Sequence, residues 1–136
     1  MRMEPVKVVI RYASGRIIKG YTSDFFPNKL VFHVRPIESQ PSDKGLEVFL
    51  AELKAVFFVK DFMGNPAYNE QQYFTEGQNS PGKKVEVKFA DAEVLVGSTL
   101  GYDPNRLGFF VTPADPQSNN LRVFVVSKAV SKFQYL

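Results

Sequence analysis

The fold of this chain is decided by the stretch VVIRYASGRIIKGYTSDFFPNKLVFHVRP, residues 8–36. A shift of 77 residues, without a gap, places it over VEVKFADAEVLVGSTLGYDPNRLGFFVTP, residues 85–113, and ten of the 29 aligned positions are identical. Self-similarity at a fixed distance indicates an internal repeat. After loops of different length, residues 46–59 also match residues 121–136. We therefore predict that the chain arose by duplication.

Each copy has the pattern of β-strands joined by turns. Residues 6–12 alternate between apolar and charged side chains, and residues 84–89 do the same. This period of two is typical of a half-buried strand. Further strands are predicted in each copy, and in the first copy they cover 16–22, 30–34 and two parts of 47–59. No ten-residue window combines the apolar period of a helix with end caps, so we expect little or no helix.

Five short strands in each copy are typical of a small SH3-like barrel, whose closure protects its strand edges. One such unit buries little apolar surface, so the two copies should pack together. We predict an all-β protein of two tandem five-stranded small barrels related by internal duplication. They form either one compact pseudo-twofold body or two barrels that share a continued sheet. The barrels span residues 1–60 and 83–136, residues 61–82 connect them, and Gly20 and Gly97 mark a bend or bulge.

The first copy resembles the first motif of Sm-like proteins, in which an alternating strand is followed by a Gly-Arg turn and a second glycine. The residues that carry the resemblance are Asp24, Asn28 and Leu30 in the first copy and Asn105 and Leu107 in the second. It covers about half of each copy, and it implies the small-barrel fold and single-stranded RNA as a ligand. The duplicated pattern also looks like an uncharacterised bacterial domain family, sometimes found in signalling contexts, whose biochemical role is not established.

Asn28 and Asn105 fall where Sm-like proteins contact a base. Their flanking residues are Phe25 and Lys29 in the first copy and Tyr102 and Arg106 in the second. An aromatic ring for stacking, an amide for a base edge and a cation for phosphate would suit single-stranded RNA. The alternative is turn chemistry alone, since a Pro-Asn pair is itself typical of a turn. We favour that alternative.

The second copy is also similar to the D-x-S-x-x-G segment of PilZ domains, which bind cyclic di-GMP. Asp103, Asn105 and Gly108 match this pattern, with Asn105 at the serine position. The Arg-x-x-x-Arg element of that family is replaced by Lys84 and Lys88, whose ammonium groups are not bidentate. The resemblance implies a cyclic dinucleotide as a further class of ligand.

The composition excludes several kinds of chemistry. The chain has 136 residues, 44% of them hydrophobic, with no cysteine and one histidine, His33. Disulfides and thiolate catalysis are therefore excluded, and no nucleophile has an obvious histidine base. No apolar run approaches the ~18 residues of a membrane span, and the N-terminus lacks the pattern of a secretory signal. We expect a non-catalytic protein of a bacterial cytoplasm, without a metal, a cofactor or membrane contact.

The connector has an unusual composition for a linker. KDFMGNPAYNEQQYFTEGQNSPG, residues 60–82, combines three acidic residues with five large apolar ones, although the whole chain has a net charge of +3. A purely flexible linker would not carry so many apolar side chains. We predict that it folds back as an acidic, aromatic strap over a basic face. The alternative is an arm that docks onto a second protomer.

Together these observations predict a binding or regulatory module without catalytic activity. Protein–protein interaction, including self-association through an edge strand, is the leading mode. Single-stranded RNA and a cyclic dinucleotide are the alternative ligands. A ligand site should gather cations and an aromatic ring around one turn, whereas a protein interface should expose an apolar patch.

Overall fold

The computed structural model describes residues 4–40, 45–65 and 67–136. The strands of the first half are β1 Val6–Tyr12, β2 Ile17–Thr22, β3 Val31–Pro36, β4 Leu46–Phe49 and β5 Leu53–Val59. Those of the second half are β6 Lys83–Phe89, β7 Val94–Thr99, β8 Gly108–Pro113, β9 Asn120–Val126 and β10 Val130–Tyr135. Short 3-10 turns at Leu50–Glu52 and Ser127–Ala129 are the helical elements of the described ranges, which contain no helix that could cross a membrane. The prediction of an all-β protein with little helix is confirmed.

The strands form a single antiparallel sheet in which the two halves have the same internal order. That order is β4-β3-β2-β1-β5 in the first half and β9-β8-β7-β6-β10 in the second. The offset of 77 residues holds in the pairing: Val31 lies opposite Phe49, as Gly108 lies opposite Val126. The paired positions are therefore equivalent in the two halves, but the loops before the fourth strands cover residues 37–45 and 114–119. The two loops differ in length, as predicted.

The two halves meet through unlike strands, because β5 of the first half pairs with β9, the counterpart of β4. A pseudo-twofold body would bring like strands together. The observed arrangement is instead head to tail. One sheet continues through both halves, whereas the two small barrels stay a prediction.

Two apolar clusters pack on this sheet, and each draws on both halves. The first lies mainly in the first half but includes Phe124 and Val126 of β9. The second lies mainly in the second half but includes Ala55 of β5. Because successive side chains of a strand point to opposite faces, β5 and β9 each contribute to both clusters. Separation of the halves would therefore expose part of each cluster.

The glycines within the second strands, Gly20 and Gly97, lie at equivalent positions and have the same structural role. A Cβ at Gly20 would lie 2.3 Å from the carbonyl oxygen of Arg35, and a Cβ at Gly97 would lie 2.2 Å from that of Thr112. The pairing of β1 with β2 runs through Gly20 without a register shift, so the predicted bulge is wrong at this position. Glycine is required because two backbones approach closely.

The connector, residues 60–82, packs against both halves. Lys19 of β2 donates a hydrogen bond of 2.9 Å to the carbonyl oxygen of Phe62. In the second half, the Tyr68 hydroxyl donates a hydrogen bond of 2.5 Å to the Asp115 carboxylate. Of the two predicted arrangements, these contacts describe the strap that folds back.

Candidate functional site

The inner junction consists of the paired strands β5 and β9 and the aromatic rings packed beneath them. Ala55 lies opposite Val125 in this pairing. The rings beneath it are those of Phe25, Phe58, Phe110 and Phe124. Phe25 and Phe124 meet edge to face with 5.1 Å between ring centroids, and such aromatic pairs add about 0.5–1.5 kcal/mol beyond the area they bury. The junction is therefore an aromatic core that both halves share.

A largely buried cation also bridges the inner junction. The side chain of Lys54 on β5 is 7% exposed. Its ammonium donates hydrogen bonds of 2.8 Å to Asp91 and 3.0 Å to Glu93, in the turn between β6 and β7. It also lies 4.7 Å from the centre of the Phe89 ring. The hydrogen bond from Lys54 is the main reason that the pKa of Asp91 is lowered, so this contact ties the halves together electrostatically.

The first outer edge of the sheet is β4, which pairs with β3 and with no other described strand. At the offset of 77, the counterparts of Phe110 and Phe124 are His33 and Glu47. Nδ1 of His33 lies 2.7 Å from a carboxylate oxygen of Asp24, and Nε2 lies 4.0 Å from a carboxylate oxygen of Glu47. An imidazole and a carboxylate therefore take the places of the junction's aromatic rings at this edge.

Of the side chains in this group, the Asp24 carboxylate makes the most hydrogen bonds. Burial by itself would raise the pKa of Asp24, but the backbone N–H and the ring of His33 bond to the carboxylate, as does the Thr22 hydroxyl. The result is a lowered pKa. Nearly half of the His33 side chain is exposed, which agrees with the predicted surface position.

The second outer edge is β10, which pairs with β6 and with no other described strand. The ring of Phe133 stacks on Tyr102 with 3.7 Å between centroids and an interplanar angle of 11°. Tyr135 lies edge-on to Phe133, is 54% exposed, and has the Lys83 ammonium 5.5 Å from its ring centre. This edge therefore presents aromatic surface with a cation beside it.

The predicted ligand residues lie on equivalent turns. The N–H of Lys29 donates to the carbonyl of Phe26, and the N–H of Arg106 donates to that of Asp103, each over 3.1 Å. The Asp103 carboxylate also accepts a 2.9 Å hydrogen bond from the Asn105 N–H. These are the hydrogen bonds that turn chemistry requires, as the favoured alternative predicted.

The aromatic members of the two predicted sites are placed differently. Phe25 is 4% exposed and packs in the inner junction, so its ring presents no face to a base. Asn28 and Lys29 remain exposed on the adjacent turn. Tyr102 is partly exposed and lies beside β10. The structure thus does not bring the three predicted residues of the first half together as an open stacking site.

The predicted residues of the second half are brought together in a cavity, which we call the junction pocket, with a volume of about 610 Å³. The predicted residues that line it are Tyr102, Asp103, Arg106 and Gly108; Asn105 does not. Sequence reasoning missed Pro27 and Arg122, which also line it. The counterpart of Arg122 at the offset of 77 is Gly45, so comparison of the repeats could not reveal this cation. The described residues contain no group of acids and histidine that could hold a metal ion.

The whole chain was compared with known families and proteins. A family model matches residues 4–136. The chain belongs to DUF6982, a family of unknown function. No curated protein and no solved structure matches it. Membership of DUF6982 agrees with the predicted resemblance to an uncharacterised domain family, whereas RNA and cyclic dinucleotide binding stay predictions.

Proposed function

We propose that this chain is an internally duplicated pair of SH3-like small barrels and acts as a non-catalytic protein-interaction module. In its main mode, copies of the chain pair head to tail through β4 of one copy and β10 of the next. The observation that carries the proposal is the strand type at each edge. Inside the chain, β5 pairs with β9. The two outer edges are β10, the counterpart of β5, and β4, the counterpart of β9.

The register of the inner junction specifies the register of the proposed contact. In the inner junction, Val56 on β5 lies opposite Phe124 on β9. Their counterparts at the offset of 77 are Phe133 on β10 and Glu47 on β4. The proposed contact therefore places Phe133 of one copy opposite Glu47 of the next. Directly opposed residues point to the same face of an antiparallel pair. Glu47 would therefore approach the aromatic face of β10, where Lys83 lies beside Tyr135.

Charge complementarity supports this contact. Lys83 is the counterpart of Val6, which packs against the first apolar cluster together with Phe110. At the outer edges, Lys83 lies on one side and Glu47 on the other, so opposite charges would meet. Inward-facing charges and a short edge strand limit uncontrolled pairing. The proposed association is therefore specific, reversible and weakened by salt.

A heterologous contact of this kind produces rings if the rotation closes and filaments if it does not. Sedimentation velocity over a range of protein concentrations tests the proposal. The wild-type chain should form dimers and larger species as the concentration rises. Glu47→Lys and Lys83→Glu should each weaken association by about fivefold to tenfold, because an attraction becomes a repulsion.

The double variant Glu47→Lys with Lys83→Glu should recover most of the wild-type association, since opposite charges again meet. Glu76→Lys, an equal charge change on the exposed connector, is the matched control and should associate as the wild type does. A wild-type chain that stays monomeric would refute the proposal. Association that none of the charge changes affects would place the contact on another surface and refute the edge mode.

A further inference from the structure

The junction pocket lies where the turn at 100–107 in the second half faces Pro27 of the first half. Its volume of about 610 Å³ lies within the range of small-molecule sites. Most of the side chains that form its wall are apolar: Pro27, Pro81, Leu100, Tyr102, Phe109, Phe110 and Phe124. No residue of β4 or β10 is among the described residues that line the pocket, so the inference does not rest on the proposed function. The pocket adjoins β10, because Tyr102 in its wall stacks on Phe133.

The charges in the wall are not balanced. The one acidic residue among its described lining residues is Asp103, and it already accepts a hydrogen bond from Asn105 and lies 3.9 Å from Arg106. The second cation, Arg122, makes no ion pair and no side-chain hydrogen bond with any described residue. The pocket therefore holds an excess positive charge whose N–H donors have no acceptor in the part of the chain that the structure describes.

Arg122 is held in place by aromatic contacts. Its guanidinium carbon lies 4.6 Å from the ring centre of Phe58 and 4.3 Å from that of Phe110, both within the range of a cation–π contact. Arg122 keeps contact with solvent, yet burial lowers the pKa of its guanidinium. A cation that is positioned by rings and partly dehydrated loses little further hydration or freedom when it binds an anion.

We infer that the junction pocket binds a small molecule in which a phosphate or carboxylate is joined to a planar apolar group, and that Arg122 binds the anion. A guanidinium matches both anions because its N–H groups can form two parallel hydrogen bonds. The planar group is accommodated by the aromatic and proline wall. Arg106, which is largely exposed, lies at the same pocket and adds a second positive charge.

The first half does not repeat the chemistry of this pocket at the equivalent positions. Glycine replaces Arg122 at position 45, and Phe25 occupies the inner junction instead of remaining at the surface as Tyr102 does. Glu47 also takes the place of Phe124. The equivalent region of the first half therefore lacks the cation and gains an acid, so we expect a stoichiometry of one ligand per chain.

Titration of the ¹⁵N-labelled chain with phenyl phosphate, followed by NMR, tests this inference. We expect saturable shifts of the amides of Tyr102, Phe109 and Arg122, at a ratio of one to one. Benzoate should give the same shifts if a carboxylate is also accepted. Inorganic phosphate and benzyl alcohol should each bind at least about tenfold more weakly, because the first lacks the planar ring and the second lacks the anion.

Arg122→Gln should weaken phenyl phosphate binding by at least about tenfold, because a charge-assisted pair is lost. Arg16→Gln is the matched control, since Arg16 also lies over a ring, that of Tyr12, at 5.5 Å but outside the pocket. Absence of saturable shifts in the wild-type chain would overturn the inference. So would unchanged affinity in a folded Arg122→Gln variant, or equal affinity for inorganic phosphate. The wild-type shifts test the site even if that variant does not fold.

Discussion

The inner junction and the outer edges use the same strands in different chemical forms. At the junction, Phe124 belongs to the first apolar cluster and Phe110 packs against it. At the β4 edge, the same two positions are His33 and Glu47, and the His33 ring lies between the carboxylates of Asp24 and Glu47. Burial of apolar surface stabilises the junction, whereas charged side chains at an edge disfavour unintended pairing with the strand of another chain.

The difference shows that two halves with the same strand order can use equivalent positions in different ways. The strand order and the offset of 77 residues are the same in both halves. Some of the positions that differ between the halves lie at the junction or at an outer edge: Phe110 and Phe124 at the junction correspond to His33 and Glu47 at the edge. Phe25 has become a junction residue, while its counterpart Tyr102 has remained at the surface against Phe133.

The largest expected effect comes from breaking the junction core. Phe25→Ala should lower the free energy of unfolding by about 3–5 kcal/mol, because it removes a fully packed ring and leaves a cavity. Tyr102→Ala, the change at the equivalent position, should cost about 1–2 kcal/mol, since that ring is partly exposed. Urea unfolding followed by circular dichroism measures both. Equal losses would show that the two positions are packed alike.

The next effect concerns the ion pair across the junction. Lys54→Ala should lower the free energy of unfolding by about 2–3 kcal/mol, because two charge-assisted hydrogen bonds and a buried stem are lost. Lys88→Ala, an exposed strand lysine, is the control and should change it by less than about 0.5 kcal/mol. The same unfolding assay applies. A loss in Lys54→Ala as small as that of the control would mean that the ion pair does not hold the halves together.

A smaller effect, on the pH dependence of stability, is expected at both the edge and the junction. The pKa of Asp24 is lowered in the folded chain, so its contribution to stability is present above the ordinary aspartate pKa and is lost as the pH falls below about 4. Asp24→Asn should therefore make the free energy of unfolding less dependent on pH between about pH 4 and 2. Asp91→Asn, at the junction, should do so as well, because its pKa is also lowered. Unfolding in urea at several pH values measures the slopes, and an unchanged slope in Asp24→Asn would contradict the edge assignment.

The smallest effect is expected in the connector, which contacts both halves and has no counterpart at the outer edges. The hydrogen bond to Asp115 raises the pKa of Tyr68 to about 12. Its contribution to stability is therefore present below about pH 10 and is lost as the pH rises through 12. A spectrophotometric titration of tyrosinate should show one fewer high-pH step in Tyr68→Phe. If the step that the variant loses lies near pH 10, the value of an ordinary tyrosine, the strap does not hold Tyr68 against Asp115 in solution.

Much of the local structure was predictable, but one loop was not. Alternation of side chains predicted the first strand of each half, and the Pro-Asn pairs predicted turns that the hydrogen bonds of Lys29 and Arg106 confirm. Residues 37–45 and 114–122 are equivalent at the offset of 77 but share one identical residue, Gln40 and Gln117. Sequence comparison therefore did not detect the offset in this segment. The register of the following strands keeps the offset, because backbone hydrogen bonds do not depend on residue identity.

The junction pocket was predictable only in part. Tyr102, Asp103 and Arg106 lie close together in the chain, so a sequence pattern could unite them. Pro27 and Arg122 lie far from that turn in sequence. Arg122 lies beside the turn because β9 pairs with β8, the strand that follows the turn. Pro27 lies there because β5 pairs with β9, and no local pattern specifies which strand of one half meets which strand of the other.

The amino-acid sequence by itself determined that this is an all-β chain with two similar halves, punctuated by turns at matching positions. Those features depend on near neighbours: the period of a strand, the conformation of proline and asparagine, and the space that glycine leaves. Only the tertiary structure decided that the halves join head to tail, that Phe25 is buried while Tyr102 is not, and that Arg122 faces a pocket. These outcomes depend on how apolar side chains distant in the chain pack together, because burial is a property of the assembled sheet and of no single segment.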